Sequence, residues 1–351
     1  MPTYTHGGDI YGLTKPVLDF SANLHPLGMP SQVQQAAQQA VSAAVHYPDA
    51  LCRELRKALA DLEGVRPSQI ICGCGAADLI LRLCFAKKPH KALISAPTFS
   101  EYENALKAVD CQVQRYVLDP ERQFDVTEEI LDQLHGELDM VFLCSPNNPT
   151  GRIIPYELMG RIAQRCKEQD ILLVLDECFL PFTTAQSMAG QLEEYPNLFL
   201  LRAFTKSYAI PGLRLGYGLC SDEELLELLY EVGQPWAVST VAQAAGLAAC
   251  QLPDYPKQGR EVLEQERPFL ISEMGKLGLT VFEGAANYLL FQAKGDTTLR
   301  QRLVEQGVLI RSCANYPGLG PDYYRIAVRS REENQQLLGA MREVLSWQKQ
   351  S

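Results

Sequence analysis

The sequence predicts an α/β protein with a large domain built on a mostly parallel sheet and a second, smaller α+β domain. Short β-rich runs alternate with helical patterns from about residue 70 to residue 217, and this alternation is typical of βαβ units and a parallel sheet. After Cys250 a long helical pattern leads instead to two strands and a last helix. The 351 residues, 46% of them hydrophobic, are enough to bury one large core or two linked cores.

The apolar periodicity of each segment decides between strand and helix. The strands predicted for the large domain are 92–95, 113–117, 140–144, 172–176, 198–201 and 213–218. The helices predicted between them are 76–86, 101–109, 155–169 and 222–232. Ligands of an open parallel sheet lie at the carboxyl ends of its strands, so the residues that follow these strands are the candidate site.

The two ends of the chain form the smaller domain in this interpretation. A Gln/Ala-rich helix is predicted over 31–45, in a segment expected to pack on the smaller domain or across an oligomer interface. The C-terminal part is predicted to hold a helix over 257–276, strands near 288–292 and 324–328, and a helix from Arg331. The predicted boundaries are 46–250 for the large domain and 1–45 with 251–351 for the small domain.

The net charge and the N-terminal sequence limit the classes of partner that this protein is expected to have. Lys and Arg total 32 against 42 Asp and Glu, a net charge of −10, which disfavours nucleic acid and anionic membranes but allows a local basic pocket. The N-terminus MPTYTHGGDIYG lacks the basic and apolar regions of a signal peptide, so none is expected. No stretch approaches the roughly 18 apolar residues of a membrane-spanning helix.

The eleven cysteines have two interpretations. Disulfides are one of them. Free buried thiols in a reducing cytoplasm are the other, favoured by the length of the chain and the irregular spacing of the cysteines. Cys72 and Cys74 are too close for the usual zinc knuckle, and the five histidines are scattered, so no metal site is expected.

Asp176 ends the apolar run ILLVLD and is expected at the end of a buried strand. A lone carboxylate in that place is unfavourable unless a cation faces it. Taken alone, Asp176 either caps the next loop or pairs with a buried protonated ring nitrogen.

Two loops at strand ends are candidates for ligand contacts. SPNNPTG, residues 145–151, follows the apolar run MVFLC and is either an ordinary turn or a loop that aims its asparagine amides into the crevice. CGCGAAD, residues 72–78, lies between a short strand and a helix. Small residues and free N–H groups at a helix start can bind an anion there, although a simple glycine turn has the same composition.

The stretch RAFTKSYAIPGLRLGYG, residues 202–218, carries Lys206 after an apolar run and Arg214 eight residues later. Burial and a nearby cation lower the pKa of a lysine, so that its neutral amine can attack a carbonyl. The planar fork of an arginine suits a phosphate. Taken alone, Lys206 is better interpreted as a surface lysine.

In combination these signals resemble the fold-type I pyridoxal-phosphate enzymes of the aminotransferase class I/II superfamily. The resemblance depends on PNNPTG, DE, and TK followed by an arginine eight residues on, and it extends over nearly the whole chain. It implies pyridoxal 5'-phosphate as cofactor, a seven-stranded sheet in the large domain, and a homodimer with its active site at the subunit interface. It also implies two catalytic residues: Lys206, joined covalently to the cofactor, and Asp176, paired with the pyridinium nitrogen.

The resemblance implies the remaining cofactor contacts as well. Asn148 hydrogen-bonds the phenolic oxygen, Tyr102 stacks on the ring with Phe99 as the alternative, and Tyr47 reaches the phosphate of the neighbouring subunit. The phosphate is otherwise held by Gly75, Ala76, Ala77, Thr205 and Arg214. Many aminotransferases have a tyrosine three residues after the aspartate, and this position is Phe179 here, so the phenolic oxygen has one donor fewer.

Within the superfamily the chain is similar to histidinol-phosphate aminotransferases and to L-threonine-O-3-phosphate decarboxylases of cobalamin biosynthesis. HGG at 6–8, DFSANLHPLG at 19–28 and RSCANYPGLG at 311–320 favour the decarboxylases. They imply conversion of L-threonine O-3-phosphate to 1-amino-2-propanol O-2-phosphate for the cobalamin nucleotide loop. The implied substrate contacts are His6, Gly7, Asn23, Asn148, Arg311 and Arg325.

Alternatives remain at this stage. The substrate carries a carboxylate and a phosphate, and the resemblance puts Arg325 on the carboxylate and leaves Arg311 and His6 for the phosphate. The two arginines could instead form unrelated surface ion pairs. The alternative activity is that of a histidinol-phosphate or related amino-acid aminotransferase. A transcriptional regulator is disfavoured, since residues 1–45 hold no basic patch.

Overall fold

The computed structural model describes residues 6–347. Its strands, in chain order, are β1 (Leu18–Asp19), β2 (Ile70–Gly73), β3 (Lys91–Ala96), β4 (Gln112–Val117), β5 (Met140–Cys144), β6 (Leu172–Asp176), β7 (Leu198–Ala203), β8 (Gly216–Leu219), β9 (Thr280–Phe282), β10 (Tyr288–Gln292), β11 (Val308–Leu309), β12 (Arg311–Ser312) and β13 (Tyr323–Ala327). Its α-helices are α1 (Ser31–Ala40), α2 (Arg53–Glu63), α3 (Ala76–Lys87), α4 (Ser100–Lys107), α5 (Tyr156–Glu168), α6 (Phe204–Ser207), α7 (Glu223–Val232), α8 (Thr240–Cys250), α9 (Tyr255–Lys276), α10 (Leu299–Glu305) and α11 (Arg331–Trp347). Within the described range, none of these helices combines the length and apolar character that a membrane span requires.

Seven strands form the central sheet, in the order β2-β8-β7-β6-β5-β3-β4. All neighbours pair in parallel except β8, which runs antiparallel to β2 and β7. β5, β6 and β7 are buried along their whole length, which explains why all their residues are apolar except Asp176 and Arg202. The predicted large domain with a mostly parallel seven-stranded sheet is confirmed.

Helices cover both faces of this sheet. Leucines and alanines of α2, α5 and α8 fill the core on one face, and α3, α4 and α7 supply the core on the other. Burying one leucine completely contributes about 1.5–3 kcal/mol, and fully buried leucines such as Leu83 and Leu173 lie on opposite faces of the sheet. The sheet is therefore a rigid platform for the loops at its carboxyl edge.

The smaller domain is an antiparallel sheet in the order β12-β13-β10-β9. Apolar residues of α9 and α11 pack in its core. β1 pairs in parallel with β11, whereas α1 packs on α8 of the large domain and its Val33 belongs to the large core. The N-terminal segment thus contacts both domains, and the boundary at residue 45 stays a prediction.

The last strand of the large domain begins later than predicted. Pro211–Leu213 form a 3-10 turn and Arg214 has a φ of 59°, so β8 begins at Gly216 rather than at residue 213. Proline cannot donate to a strand ladder, which keeps this turn out of the sheet. Arg214 is consequently held in a loop beside Gly75.

The two domains touch immediately behind the asparagine loop. A Cβ on Gly151 would lie 2.9 Å from the Cα of Gly284, and Ala285 N donates to the carbonyl of Gly151 at 2.8 Å. Gly151 also has a φ of 73°, a conformation that favours glycine. The guanidinium of Arg152 donates two hydrogen bonds to the carboxylate of Asp125, with an Nε–Oδ1 distance of 2.6 Å. This junction fixes the loop that carries Asn148.

Candidate active site

Four chain segments meet at the carboxyl edge of the central sheet. Asp176 is the last residue of β6, and the ladder pairs it with Cys144 of β5 and Leu201 of β7. The asparagine loop follows β5, and Lys206 lies in α6 directly after β7. The start of α3 follows β2 at the same edge. The structure therefore brings together the residues predicted to follow the strands.

Asp176 is buried and receives a hydrogen bond on each of its carboxylate oxygens. Tyr102 Oη donates to Oδ2 at 2.6 Å, and the backbone N–H of Cys178 donates to Oδ1 at 2.8 Å. Burial, and then the charge of Asp176, raise the pKa of Tyr102 well above its usual value, so the phenol remains a donor. These bonds replace the water that a buried carboxylate loses. They also orient the carboxylate of Asp176 across the edge of the sheet.

The ring of Tyr102 does not face the cleft, contrary to the prediction that it stacks on the cofactor. It is fully buried, and it stacks on Phe142 with centroids 5.1 Å apart and an interplanar angle of 11°. Phe99 packs edge-on against Tyr102 with centroids 5.6 Å apart and is only partly buried. Tyr102 therefore acts on Asp176 through its hydroxyl, and Phe99 is the ring with a face left for stacking.

Lys206 has the electrostatic environment of a nucleophile. Its pKa is lowered from 10.5 to about 8, mainly by burial and then by the positive charges of Arg325 and Arg214, against opposing contributions from Cys178 and Asp19. The neutral amine, which is the form that attacks a carbonyl, is accessible at slightly alkaline pH. The interpretation of Lys206 as an ordinary surface lysine does not fit this environment.

The turn before α3 forms a cradle for an anion. Gly75 has a φ of 82°, and a Cβ there would lie 2.6 Å from Nη2 of Arg214. A Cβ on Gly216 would lie 2.5 Å from the backbone nitrogen of Ala76. α3 begins at Ala76, so the first-turn N–H groups of Ala76 and Ala77 have no partner within the helix.

Neighbouring side chains leave the cradle positive. Asp78, the acidic residue of the first turn, accepts from Cys74 N at 2.9 Å and pairs with Arg82 at 2.8 Å. Thr205 is buried directly before Lys206. Glycine, helix start and Arg214 thus combine into a site for a phosphate group.

The two asparagines of the loop have different roles. Asn147 is structural: its side-chain amide donates to Pro97 O at 3.0 Å, and Tyr288 Oη donates to its backbone carbonyl at 2.8 Å. Asn148 instead accepts from a guanidinium N–H of Arg325. Phe179 packs edge-on against Tyr288 with centroids 4.9 Å apart, so this position supplies an apolar wall and no hydroxyl.

Arg311 and Arg325 lie directly opposite each other in the β12–β13 ladder. Both are buried, and neither forms an ion pair with a carboxylate among residues 6–347. Arg325 donates from Nη2 to Ser21 O at 2.8 Å, while Arg311 donates from Nη2 to Asn315 Oδ1 at 2.7 Å. The alternative of two surface ion pairs is therefore wrong, because both guanidinium groups are buried and unpaired.

The N-terminal segment closes one side of the cleft. His6 Nε2 lies 2.9 Å from Glu101 Oε1. A Cβ on Gly7 would lie 2.2 Å from Ser21 O, so only glycine fits there. Asn23 is buried, and its Oδ1 has no hydrogen-bond partner within the described chain. This side of the cleft thus carries one buried acceptor that a ligand can satisfy.

Tyr47 has a different position from the other predicted site residues. It is 79% exposed, and its ring stacks on Trp236 with centroids 4.5 Å apart. A single chain leaves this pair in solvent. Its predicted contact with the cofactor phosphate of a neighbouring subunit stays a prediction.

Sequence reasoning missed several supporting residues. Ser21 lies inside a stretch already singled out, and its hydroxyl accepts from Gly8 N at 2.7 Å. The guanidinium carbon of Arg325 lies over the ring of Tyr288, 5.5 Å from the ring centroid. A tyrosine in a strand gives no sign of such contacts, because they depend on which elements meet in three dimensions.

A lysine with a lowered pKa, a buried carboxylate and a phosphate cradle, set at the carboxyl edge of this sheet, define a pyridoxal-phosphate enzyme of fold type I. The family model for aminotransferase class I and II matches residues 15–341, and the chain belongs to that family. Its cofactor is pyridoxal 5'-phosphate. Among the described residues, no group of histidine, cysteine and carboxylate side chains could hold a metal ion.

Three relatives bear on the activity. A threonine-phosphate decarboxylase of Salmonella typhimurium is 40% identical over 97% of this chain and 96% of its own. The adenosylcobalamin biosynthesis bifunctional protein CobDQ of Leptospira interrogans is 30% identical over 97% of this chain but only 41% of its own. The solved structure of a histidinol-phosphate aminotransferase from Clostridium acetobutylicum has a TM-score of 0.88 at 28% identity, covering 94% of this chain and 99% of that one.

The residues present fit this cofactor. The missing Cβ of Gly75 lets the guanidinium of Arg214 lie close to the start of α3, an arrangement that suits the phosphate group of the cofactor. Asp176 offers a carboxylate to a protonated ring nitrogen, and Lys206 offers an amine to the aldehyde. Phe99 supplies a partly exposed ring beside Tyr102.

Proposed function

We propose that this protein removes the carboxylate of L-threonine O-3-phosphate as CO2 and releases 1-amino-2-propanol O-2-phosphate. The observation that carries the proposal is the buried pair Arg311 and Arg325, which has no carboxylate partner in the described chain. Buried charges without counterions are unfavourable, so the pair suits a ligand that brings two anionic groups. The similarity to the Salmonella decarboxylase supports the same substrate.

Arg325 is the proposed carboxylate site. One of its Nη atoms is used on Asn148 and the other on Ser21 O, and its Nε has no partner within the described chain. Its charge also lowers the pKa of Lys206. A carboxylate held at Arg325 therefore lies near Lys206, in a site where burial removes water and favours the loss of CO2.

Arg311 and His6 form the proposed phosphate site. Both line one cavity between the N-terminal segment and the small domain. Gly7 lets this segment approach Ser21 closely, and Asn23 adds a buried amide. The phosphate of the substrate would replace water at charged donors whose hydrogen bonds are about twice as strong as neutral ones.

Pyridoxal phosphate, when bound, withdraws electrons from the bond that breaks at the substrate Cα. We assign Asp176 to hold a proton on the ring nitrogen and Asn148 to donate to the phenolic oxygen. After CO2 leaves, Cα must gain a proton. A pKa of about 8 lets Lys206 Nζ both hold and release one near neutral pH, and we assign it this transfer.

The product is a phosphorylated amino alcohol, and we propose that it supplies the linker of the cobalamin nucleotide loop. The relative named for adenosylcobalamin biosynthesis supports this use. We place the reaction in the cytoplasm, because all eleven cysteines are free thiols and disulfides are rare in reducing compartments.

We also propose a homodimer. Large exposed apolar side chains are concentrated in the first 51 residues, with Trp236 stacked on one of them; they are Ile10, Tyr11, Leu27, Met29, Val41, Val45, Tyr47 and Leu51. Exposed apolar surface of this kind commonly marks an association site. A second copy is the proposed occupant, with Tyr47 reaching the phosphate cradle of its partner.

The test is to incubate the holoenzyme with L-threonine O-3-phosphate labelled at its carboxyl carbon, without any 2-oxo acid. We expect equal amounts of labelled CO2 and phosphorylated amino alcohol. The second candidate, histidinol-phosphate aminotransferase, is supported by the Clostridium structure. No CO2, together with transfer of the amino group from histidinol phosphate to 2-oxoglutarate, would replace the proposal with this activity.

A further inference from the structure

A cavity of about 280 Å³ lies beside Arg311 at the mouth of the proposed substrate site. His6 and Asp9 of the N-terminal segment line it. Arg300, Arg311 and Asn315 of the small domain line it as well. Arg300 is the one charged lining residue of the small domain that the proposed function leaves without a role.

Arg300 is the second residue of α10, is exposed, and forms no hydrogen bond or ion pair through its side chain with residues 6–347. Its neighbour Arg302 has the opposite arrangement, since it is bound to Asp296 and to Val344 O. The side chain of Arg300 is thus directed to the cavity without being committed to a structural partner.

The charge of the cavity depends on Arg300. Arg311 contributes one positive charge and Asp9 one negative charge, while His6 is paired with Glu101. With these groups alone, the lining is neutral. A phosphate monoester carries a charge of about −1.5 to −2 near pH 7, so a neutral lining would not favour it over an uncharged group.

Part of the donor capacity of Arg311 is already used. One of its Nη atoms donates to Asn315 at 2.7 Å, and burial lowers its pKa from the usual value. A phosphate offers three strong acceptor oxygens, and a second guanidinium fork in the lining of the same cavity suits those that Arg311 and His6 leave.

We infer that Arg300 is a specificity-determining residue that binds the phosphate group of the substrate together with Arg311. The inference rests on the proposed function for the nature of the substrate, but not for the geometry of the cavity. The substrate then has two anion sites at different depths in the cleft. Arg325 binds the carboxylate in the interior, and Arg300 binds the phosphate at the mouth.

The test uses isopropyl phosphate, which carries the phosphate end of the substrate but has no amine or carboxylate to react. Its dissociation constant is measured by calorimetry on the holoenzyme and on Arg300→Ala, Arg300→Lys and Arg165→Ala. Arg165 is the matched control, because it is an exposed arginine near the end of another helix, α5. The same variants are assayed with L-threonine O-3-phosphate.

We expect Arg300→Ala to raise the dissociation constant and the KM about tenfold, which corresponds to about 1.4 kcal/mol, with kcat nearly unchanged. Arg300→Lys should retain part of the affinity, and Arg165→Ala should match the wild type. Equal affinity of Arg300→Ala and wild type, or no binding to the wild type, overturns the inference. Binding that depends on Arg300 without release of CO2 would instead overturn the proposed function alone.

Discussion

The phenol of Tyr102 donates a 2.6 Å hydrogen bond to Oδ2 of Asp176. This bond joins α4 to the end of β6, and the tyrosine ring is held from behind by Phe142. The backbone N–H of Cys178 donates to the other carboxylate oxygen. The direction in which Asp176 points is therefore set by a side chain that itself has no exposed surface.

Tyr102→Phe is expected to lower kcat about tenfold while KM changes little. Losing one hydrogen bond to a buried charged group costs about 1.5–3 kcal/mol, and part of this cost should appear as poorer orientation of Asp176. The visible absorption spectrum of the bound cofactor should shift as well. Tyr116→Phe removes a remote hydrogen bond to Thr127 and should leave both kcat and the spectrum unchanged. An unaltered spectrum in Tyr102→Phe would show that Tyr102 contributes only to packing and does not orient Asp176.

The lowered pKa of Lys206 predicts how cofactor loading depends on pH. Since the folded apoprotein has a lysine pKa of about 8, the neutral amine increases as the pH rises through 8 and then becomes constant. The rate of reconstitution with pyridoxal phosphate, followed by absorbance between pH 6 and 10, should rise and level off accordingly. A rate that continues to rise up to the usual lysine pKa of about 10.4 would contradict this environment.

Gly75→Ala is expected to weaken cofactor binding by at least tenfold. The new methyl group would lie 2.6 Å from Arg214, and residue 75 has a φ of 82°. Gly278→Ala separates the steric clash from the backbone strain. Gly278 has a φ of 84°, but an added Cβ there would have nothing within 4 Å. Both variants should lose roughly 1 kcal/mol of stability, measured by thermal unfolding. Cofactor affinity should fall only in Gly75→Ala; equal affinity in both would exclude the cradle.

Mixed dimers test the role of Tyr47. Lys206→Ala should be inactive, and Tyr47→Ala should bind the cofactor weakly. Subunit exchange between them should restore up to about a quarter of wild-type activity, since half of the dimers are mixed and each mixed dimer has one intact site. The upper reference for the recovered activity is a mixture of Lys206→Ala with wild-type protein that carries a different affinity tag, one that does not affect activity. No recovery on mixing would mean that Tyr47 does not serve the partner.

The sequence predicted the positions of Asp176, Asn148 and Lys206 well, because each lies at or just after the end of a strand marked by an apolar run. Such runs are buried in a parallel sheet, and parallel strands end at the same edge. The placement of these residues therefore needed only strand order and chain direction.

Other features depend on contacts that no local pattern encodes. β12 has two residues, too few to show periodicity, so the pairing of Arg311 with Arg325 could not be predicted. Phe99 and Tyr102 are three residues apart, and helical spacing does not reveal which ring faces the cleft. The late start of β8 reflects Pro211 and the positive φ of Arg214, which an apolar pattern over residues 213–218 conceals.

The most direct test of the account is to reduce the holoenzyme with borohydride and map the modified peptide by mass spectrometry. We predict a pyridoxyl phosphate group on Nζ of Lys206, and on no other lysine, in every molecule that carries cofactor. A label on a different lysine, or no label in a protein that releases CO2 from L-threonine O-3-phosphate, would contradict the account.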